Sequence, residues 1–419
     1  MLDIKFIREN ADIVKLAAKK KHMDVDIDRL IAVDDSRREV MAQLEEKRAE
    51  QNTASKEIGA AAPEEREAKI AAVGTLKEAI QQLEEQLKPV MEEWRTLMLQ
   101  VPQIPDMTVP EGESDADNEE VKTWGEPTKF DFEPKDHIEL MTNLGMADFE
   151  RGSKVHGFRG YYLLGDGAKL SWAIWNYAQQ FFLDKGFVPM LPPSIVRKQN
   201  LYGTGHLPNE AEDVYYTQDE DYLIGTSEVP LTSYHADEIL EAAELPKKFA
   251  GYSPCFRREA GSYGKDTKGI LRVHQFEKIE MVAVCAPEDS PKIHEEMREV
   301  EEKLLQMLGI PYRVVLIAAG DLGGSAVKKY DLEAWLPGQG KFREMTSTSN
   351  CTDFQARRLG IRVRKANGET VVAHTLNGTA VSSRPLIAIL ENFQHADGSV
   401  DIPEVLWPFS GGLKRIEAK

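Results

Sequence analysis

Between Val73 and Val101 apolar residues recur at alternating intervals of three and four, at Val73, Leu76, Ile80, Leu83, Leu87, Val90, Trp94, Leu97 and Val101. A stripe of that period turns slowly around a helix and has to be buried by a second helix. Upstream, Leu30, Val33, Val40, Leu44, Ala54 and Ile58 mark a matching stripe, interrupted by Arg37, Lys47 and Gln51. Gly59 and Pro63 break the pattern between the two, so the chain can reverse and the stripes can face each other. The expectation is an antiparallel coiled-coil hairpin over about 27–101. Each helix of about 33 residues extends roughly 50 Å, well beyond the diameter of a compact domain. Pro89 lies inside the second seam, where its ring is expected to bend the helix near the base of the arm.

The rest of the chain changes character. Residues 1–26 are a short basic amphipathic piece with Lys15, Lys19, Lys20 and Lys21, expected to pack at the arm's base. Together with the arm they make an N-terminal domain of residues 1–101. Residues 102–134 carry prolines at 102, 105, 110, 127 and 134 and the acidic run EGESDADNEE, and read as a linker. From 135 to 419 helical and strand patterns mix, with strands dominating the middle and end, which predicts an α+β domain: an antiparallel sheet flanked by helices. The 419 residues are 42% hydrophobic, ordinary for a globular protein. No run is long enough to span a membrane, and the start lacks a signal layout, so a cytoplasmic protein is expected. Cys255, Cys285 and Cys351 are too scattered for a disulfide framework or a zinc site and read as buried thiols. A net charge of −18 argues against general nucleic-acid binding, so any RNA contact must be local, and no DNA partner is expected.

The chemistry concentrates in FRREAGSYGKDTKGILRVHQFEKIE, from Phe256 to Glu280. Arg257, Arg258 and Glu259 stand before a Gly-rich loop containing Lys265 and Lys268, and Arg272 follows it. Leu271, Val273, Phe276 and Ile279 alternate with Arg272, His274, Lys278 and Glu280, the period of a half-exposed strand, so the segment reads as a hairpin with one face on a site. Arginine suits such a face because its planar fork binds carboxylate or phosphate oxygens in pairs and stays charged. Phe276 can stack on a base, and Glu280 is available for an ammonium or hydroxyl group. Other Gly-rich stretches carry no mechanism: AGSYG at 260–264 is not a nucleophile elbow, and GTGHLP, GDGAKL and GDLGGS give neither a dinucleotide fingerprint nor a phosphate loop.

This stretch resembles motif 2 of a class II aminoacyl-tRNA synthetase in its seryl form. Three further segments extend the resemblance over nearly the whole chain. The helical pattern before GFVPMLPPSIV resembles motif 1, with Pro193 at the motif's proline, implying a homodimer interface. KFREMTSTSN resembles the family's Glu-x-x-Ser strand, and HTLNGTAVSSRPLIAILENFQ resembles motif 3, a turn, then Arg384, then an apolar helix. Its turn is one residue shorter than in common bacterial forms, and Pro385 follows the arginine. In TSEVPLT, Thr226 and Glu228 share a face if the segment is extended.

The resemblance implies a fold, a reaction and roles. The expected activity is ATP-dependent activation of L-serine to seryl-adenylate with release of pyrophosphate, then transfer of serine to the terminal ribose of tRNA(Ser); service to tRNA(Sec) is left open. Arg257, Arg272 and Arg384 are the expected catalytic residues. Arg257, Arg258, Glu259, Phe276, Glu344, Met345, Thr346, Ser347 and Arg384 are expected to contact ATP, with Glu344 and Ser347 on Mg²⁺. Thr226, Ser227, Glu228, Glu280 and Thr379 are expected to bind serine. A carrier-protein aminoacylating paralogue is the alternative within the fold, and the tRNA arm speaks against it. A non-catalytic coiled-coil interaction protein is the alternative from another class, and the complete motifs speak against that.

Overall fold

The computed structural model describes every residue except Ala61, Ser262, Tyr263, Lys265 and Lys419. The chain forms two compact units, Leu2–Pro102 and, with Met1, Gln103–Lys419. In the first, two short helices, α1 (Ile4–Glu9) and α2 (Ala11–Lys20), precede two long ones, α3 (Ile27–Ala60) and α4 (Pro63–Gln100). Arg8 pairs with Asp34 and Asp35 and Lys15 with Asp28, tying the short helices to the start of α3. The pairs Arg29–Glu93, Arg48–Glu84 and Lys69–Glu57 run in opposite senses along the two long helices, so α3 and α4 are antiparallel.

Every seam position named above on α3 and α4 is at least half covered, including the polar intruders. Arg37 earns its place in the seam by lying over the Trp94 ring at 4.8 Å while pairing with Asp34 at 2.7 Å. One detail differs from expectation. Gly59 stays helical and α3 runs on to Ala60, and α4 opens at Pro63, whose fixed φ and missing N–H suit the first turn of a helix. Pro89 sits inside α4, which continues through it to Gln100.

The second unit is built on an eight-stranded sheet. Its strands in chain order are β1 (Glu119–Trp124), β2 (Val188–Met190), β3 (Lys247–Phe256), β4 (Gln275–Cys285), β5 (Tyr312–Leu316), β6 (Lys328–Leu336), β7 (Lys341–Thr352) and β8 (His374–Ser382). They lie in the order β1-β5-β6-β7-β8-β4-β3-β2, all neighbours antiparallel except β2 and β3. The helices Gly165–Asp184, Ser290–Met307 and Arg384–Asn392 contribute Leu170, Phe182, Met297, Leu305, Leu386 and Leu390 to the core against the sheet. The α+β class is as expected. The stretch 102–134 is more than a linker, since Glu119–Trp124 within it is the edge strand β1, paired with Tyr312–Leu316. Its Pro-rich and acidic composition hid a short exposed strand of Glu, Lys and Thr, which is how sheet edges are protected.

The registers position the site. β3 and β4 pair from Lys247–Val284 to Phe256–Gln275, so the hairpin expected around motif 2 is formed, and its tip spans 257–274. The strand starts at Gln275 and not at Leu271. Residues 271–274 keep the alternation of buried and exposed side chains without a ladder, held by the Arg257 N–H donating to the His274 carbonyl at 2.9 Å. Lys265 and the centre of AGSYG lie outside the described residues.

Candidate active site

A cleft of about 140 Å³ opens on the sheet face between the hairpin tip and the start of the helix Arg384–Asn392. Arg257, Glu259, Arg272, Phe276, Glu344, Met345, Thr379 and Arg384 line it, so the structure brings together residues expected from three separate segments. The guanidinium of Arg257 lies 5.3 Å from the Phe276 ring centroid and its Nε donates to the Gly225 carbonyl at 3.2 Å. Arg272 is hydrogen-bonded through Nη1 to Glu259, whose backbone is left-handed at φ 56°, and Arg159 approaches the same carboxylate at 3.7 Å. Three arginines and one aromatic ring therefore face a narrow space, a suitable arrangement for a polyanion carrying a base.

Arg384 enters as the first residue of its helix. What was read as the motif 3 turn is strand β8, which keeps its pairing with β4 through a bulge between Thr379 and Val381. A bulge absorbs a one-residue change of length without losing the ladder, and Arg384 still reaches the cleft. Pro385 occupies the first helical turn, where no N–H is needed. Arg384 Nη1 donates to the Glu344 carbonyl oxygen at 2.8 Å and lies 3.1 Å from Glu344 Oε1. Burial pushes the Glu344 carboxyl up, but Arg384, Lys329 and Arg257 outweigh it and hold it at about 2, so it is ionised.

Ser347 pairs across β6–β7 with Asp331, and its hydroxyl hydrogen-bonds that carboxyl. Burial, with the Glu344 charge, pushes Asp331 up to about 7 against the pull of Lys329, 3.5 Å away. Carboxylate and hydroxyl oxygens are the donors Mg²⁺ prefers, so Glu344 and Ser347 fit such an ion. Among the described residues no group of three or more His, Cys, Asp or Glu could hold a metal. The protein would therefore supply part of the shell and phosphates and water the remainder.

Beside the cleft lies a second group. Glu280 on β4 and Thr379 on β8 are a register pair, and Lys278 is ion-paired with Glu280 and donates to Thr379 Oγ1 at 3.5 Å. Burial pushes the Glu280 carboxyl up against the opposing pull of Lys278. Glu228 Oε1 accepts from Gln355 Nε2 at 2.6 Å and from Asn377 Nδ2 at 3.0 Å, and Oε2 faces His206 Nε2 at 3.9 Å. The Glu228 and Glu280 charges feel each other. Two carboxylates, a hydroxyl and amide groups make a polar cluster whose chemistry suits a small ammonium compound with a polar side chain.

The placement of some expected residues differs. Thr226 and Glu228 do not share the face of a strand, because a short helix, Glu228–Thr232, begins there and the Glu228 N–H donates to Thr226 Oγ1 at 3.1 Å. Ser227 is fully buried and its hydroxyl donates to the Gly251 carbonyl at 2.9 Å, which commits it to β3. Arg258 lies over the Tyr215 ring at 5.9 Å and is not among the cleft-lining residues. Thr346 points to the opposite face of the sheet and donates to Glu301 Oε2 at 2.9 Å. The structure adds Lys278, Ser382, Ser383, His206, Gln355 and Asn377. Lys278, Ser382 and Ser383 stand inside recognised motifs, whereas His206 belongs to GTGHLP, which as a Gly-rich run carried no signal.

Known proteins resemble this chain over its whole length. Residues 1–105 match the family model described as Seryl-tRNA synthetase N-terminal domain, and residues 213–393 match the tRNA synthetase class II core domain (G, H, P, S and T). The serine--tRNA ligase of Corynebacterium glutamicum is 48% identical over 98% of this chain and 97% of its own length. That of Thermobifida fusca is 46% identical over 98% of both. Among solved structures, seryl-tRNA synthetase from Pyrococcus horikoshii complexed with ATP superposes with a TM-score of 0.91 at 40% identity over the whole of both chains. The cytoplasmic serine--tRNA ligase of Naegleria fowleri in complex with AMP gives 0.87 at 38%, covering 100% of this chain and 99% of that one. The chain therefore belongs to the seryl-tRNA synthetases, class II aminoacyl-tRNA synthetases that act as serine--tRNA ligases.

Proposed function

We propose that both half-reactions take place at the cleft between Arg257, Arg272 and Arg384, with the amino acid held by the neighbouring Glu228, Glu280 and Thr379. ATP enters with its phosphates among the three arginines and its base against Phe276, and Glu259 and the Met345 wall complete its pocket. Thr226 and Glu228 take the serine ammonium group, while Glu280 and Thr379 take the hydroxyl. A serine carboxylate oxygen then attacks the α-phosphorus, the bond to the leaving pyrophosphate breaks, and seryl-adenylate forms. In the second step a ribose hydroxyl of the tRNA terminus attacks the seryl carbonyl carbon and AMP leaves. No protein nucleophile is needed, because the barrier is lowered by positioning and by charge stabilisation.

Arg257 bridges the serine carboxylate and the α-phosphate, and Arg272 and Arg384 hold the departing pyrophosphate. Mg²⁺, held by Glu344 and Ser347 when bound, neutralises phosphate charge. The long hairpin α3–α4 carries tRNA(Ser), and its mixed charges favour recognition by shape and backbone contacts. The protein works in the cytoplasm as a homodimer through the motif 1 region. Trp172 and Leu191 there are 65% and 85% exposed, and with Trp175, Leu183, Met190 and Tyr252 they line a groove of about 530 Å³. An apolar surface of that kind on a globular unit marks a binding face.

The single observation that carries the reading is the convergence of Arg257, Arg272, Arg384 and Glu344 on one cleft with Thr379 and Lys278 at its inner wall. Its test is Arg257→Ala, assayed by serine-dependent exchange of pyrophosphate into ATP. Removing a group that binds developing charge should cost about a hundredfold or more in kcat while the fold, followed by circular dichroism, is retained. Exchange within a few-fold of the parent rate rejects the assignment.

A further inference from the structure

Lys278 is buried, its side chain 7% exposed, and it is ion-paired with Glu280, 3% exposed, while its Nζ donates to Thr379 Oγ1 at 3.5 Å. Strand alternation sets Lys278 and Glu280 on one face of β4, and the β4–β8 register sets Thr379 opposite Glu280. One cation thus touches both groups assigned above to the serine hydroxyl, and it also lines the ATP cleft. A carboxylate buried so deeply takes up a proton unless a cation holds its charge. The charged and titratable groups around Glu280 are Lys278 on its own strand, Glu228 and Arg257 from the flanking segments, Cys255 on β3, and Glu301 from the helix Ser290–Met307 behind the sheet. Among the described residues, Lys278 is the cation in direct contact with it.

We propose that Lys278 is a positioning residue for amino-acid specificity, holding Glu280 as a carboxylate and fixing it beside Thr379 so that the site requires a hydroxyl donor from the substrate. The proposal rests on the assignment of Glu280 and Thr379 to serine. A carboxylate only accepts hydrogen bonds, so an amino acid without a hydroxyl leaves it buried and unmatched. A protonated Glu280 both donates and accepts, and the requirement relaxes.

The test uses the full-length protein and measures KM and kcat for serine, alanine and ATP in pyrophosphate exchange. Lys278→Met should raise the serine KM on the order of tenfold or more, the cost of removing a charged partner from a buried group. It should lower the ratio of serine to alanine activity and leave the ATP KM little changed. Its serine KM should also fall as pH rises, because Glu280 regains its charge, while the parent stays flat. Lys278→Met combined with Glu280→Gln should be no worse than Glu280→Gln alone, since an amide needs no cation. Equal effects on serine and ATP, or additive single effects, overturn the proposal. If Lys278→Met does not fold, Lys278→Arg should preserve the serine-to-alanine ratio and Lys278→Gln should lose it, and equal ratios overturn the proposal. Glu228→Gln is the control on the underlying assignment: if it too leaves the serine KM unchanged, the serine site itself is misplaced and the proposal falls with it.

Discussion

Gly378 shows how one residue links the site to the core behind it. A Cβ at this position would stand 2.7 Å from Glu301 Oε1 and 2.8 Å from Thr348 Oγ1, so Gly378→Ala must displace these buried side chains or strand β8 itself just before Thr379. Overpacking of this kind typically costs about 1–3 kcal/mol, measurable as a lower midpoint in denaturant, with the serine KM raised as well. The neighbouring Glu301 is fully buried beneath the sheet, and burial holds its carboxyl well above the ordinary range. Because the folded state keeps this proton after the unfolded chain has lost it, the stability is full below the ordinary carboxylate range and declines as pH rises towards the displaced value. Glu301→Gln should remove that decline, giving a flatter stability curve above about pH 4.5 than the parent. An unchanged curve would mean that Glu301 ionises normally. Gly378 in LNGT reads in sequence as part of a turn, and its requirement comes instead from a helix 77 residues upstream, a contact that no local pattern can show.

At the level of elements, the arm was the most legible part of the chain because a coiled-coil seam is a local code. Its period states which residues are covered, and Leu30, Val33, Leu44 and Ile80 are buried at the positions it names. Arg37, which breaks the code, has its reason across the interface, over the Trp94 ring. The helix Glu228–Thr232 and strand β1 were misread for the opposite reason: both are too short to display a period, and their form is set by tertiary pairing. Separation of the arm into its own compact unit makes a direct prediction. Replacing residues 27–101 by a short linker should leave serine-dependent pyrophosphate exchange within a few-fold of the parent and reduce serylation of tRNA(Ser) by orders of magnitude. Charging that survives the replacement would remove the arm from tRNA recognition. Loss of exchange together with charging would tie the arm to the catalytic fold instead.

For the whole molecule, three motifs distant in sequence met at one cleft, whereas Gln355 and His206 joined Asn377 of motif 3 around Glu228 only through the fold. These three surround Glu228 from a helix, a strand and a loop, and their residue types carry no signal until the sheet brings them together. The exposed apolar face around Trp172 belongs to this scale too. Trp172→Glu, which sets a charge on that face, should convert the proposed dimer to monomer in sedimentation velocity at micromolar concentration. A parent protein that already sediments as a monomer would reject the homodimer. The central claim is that the cleft selects serine and joins it to adenylate, and amino-acid-dependent exchange of labelled pyrophosphate into ATP, run on the full-length protein with each standard amino acid in turn, tests it most directly. Exchange with serine, falling by orders of magnitude with alanine, is the predicted result. Equal exchange with alanine, exchange driven by a different amino acid, or none with any would contradict it.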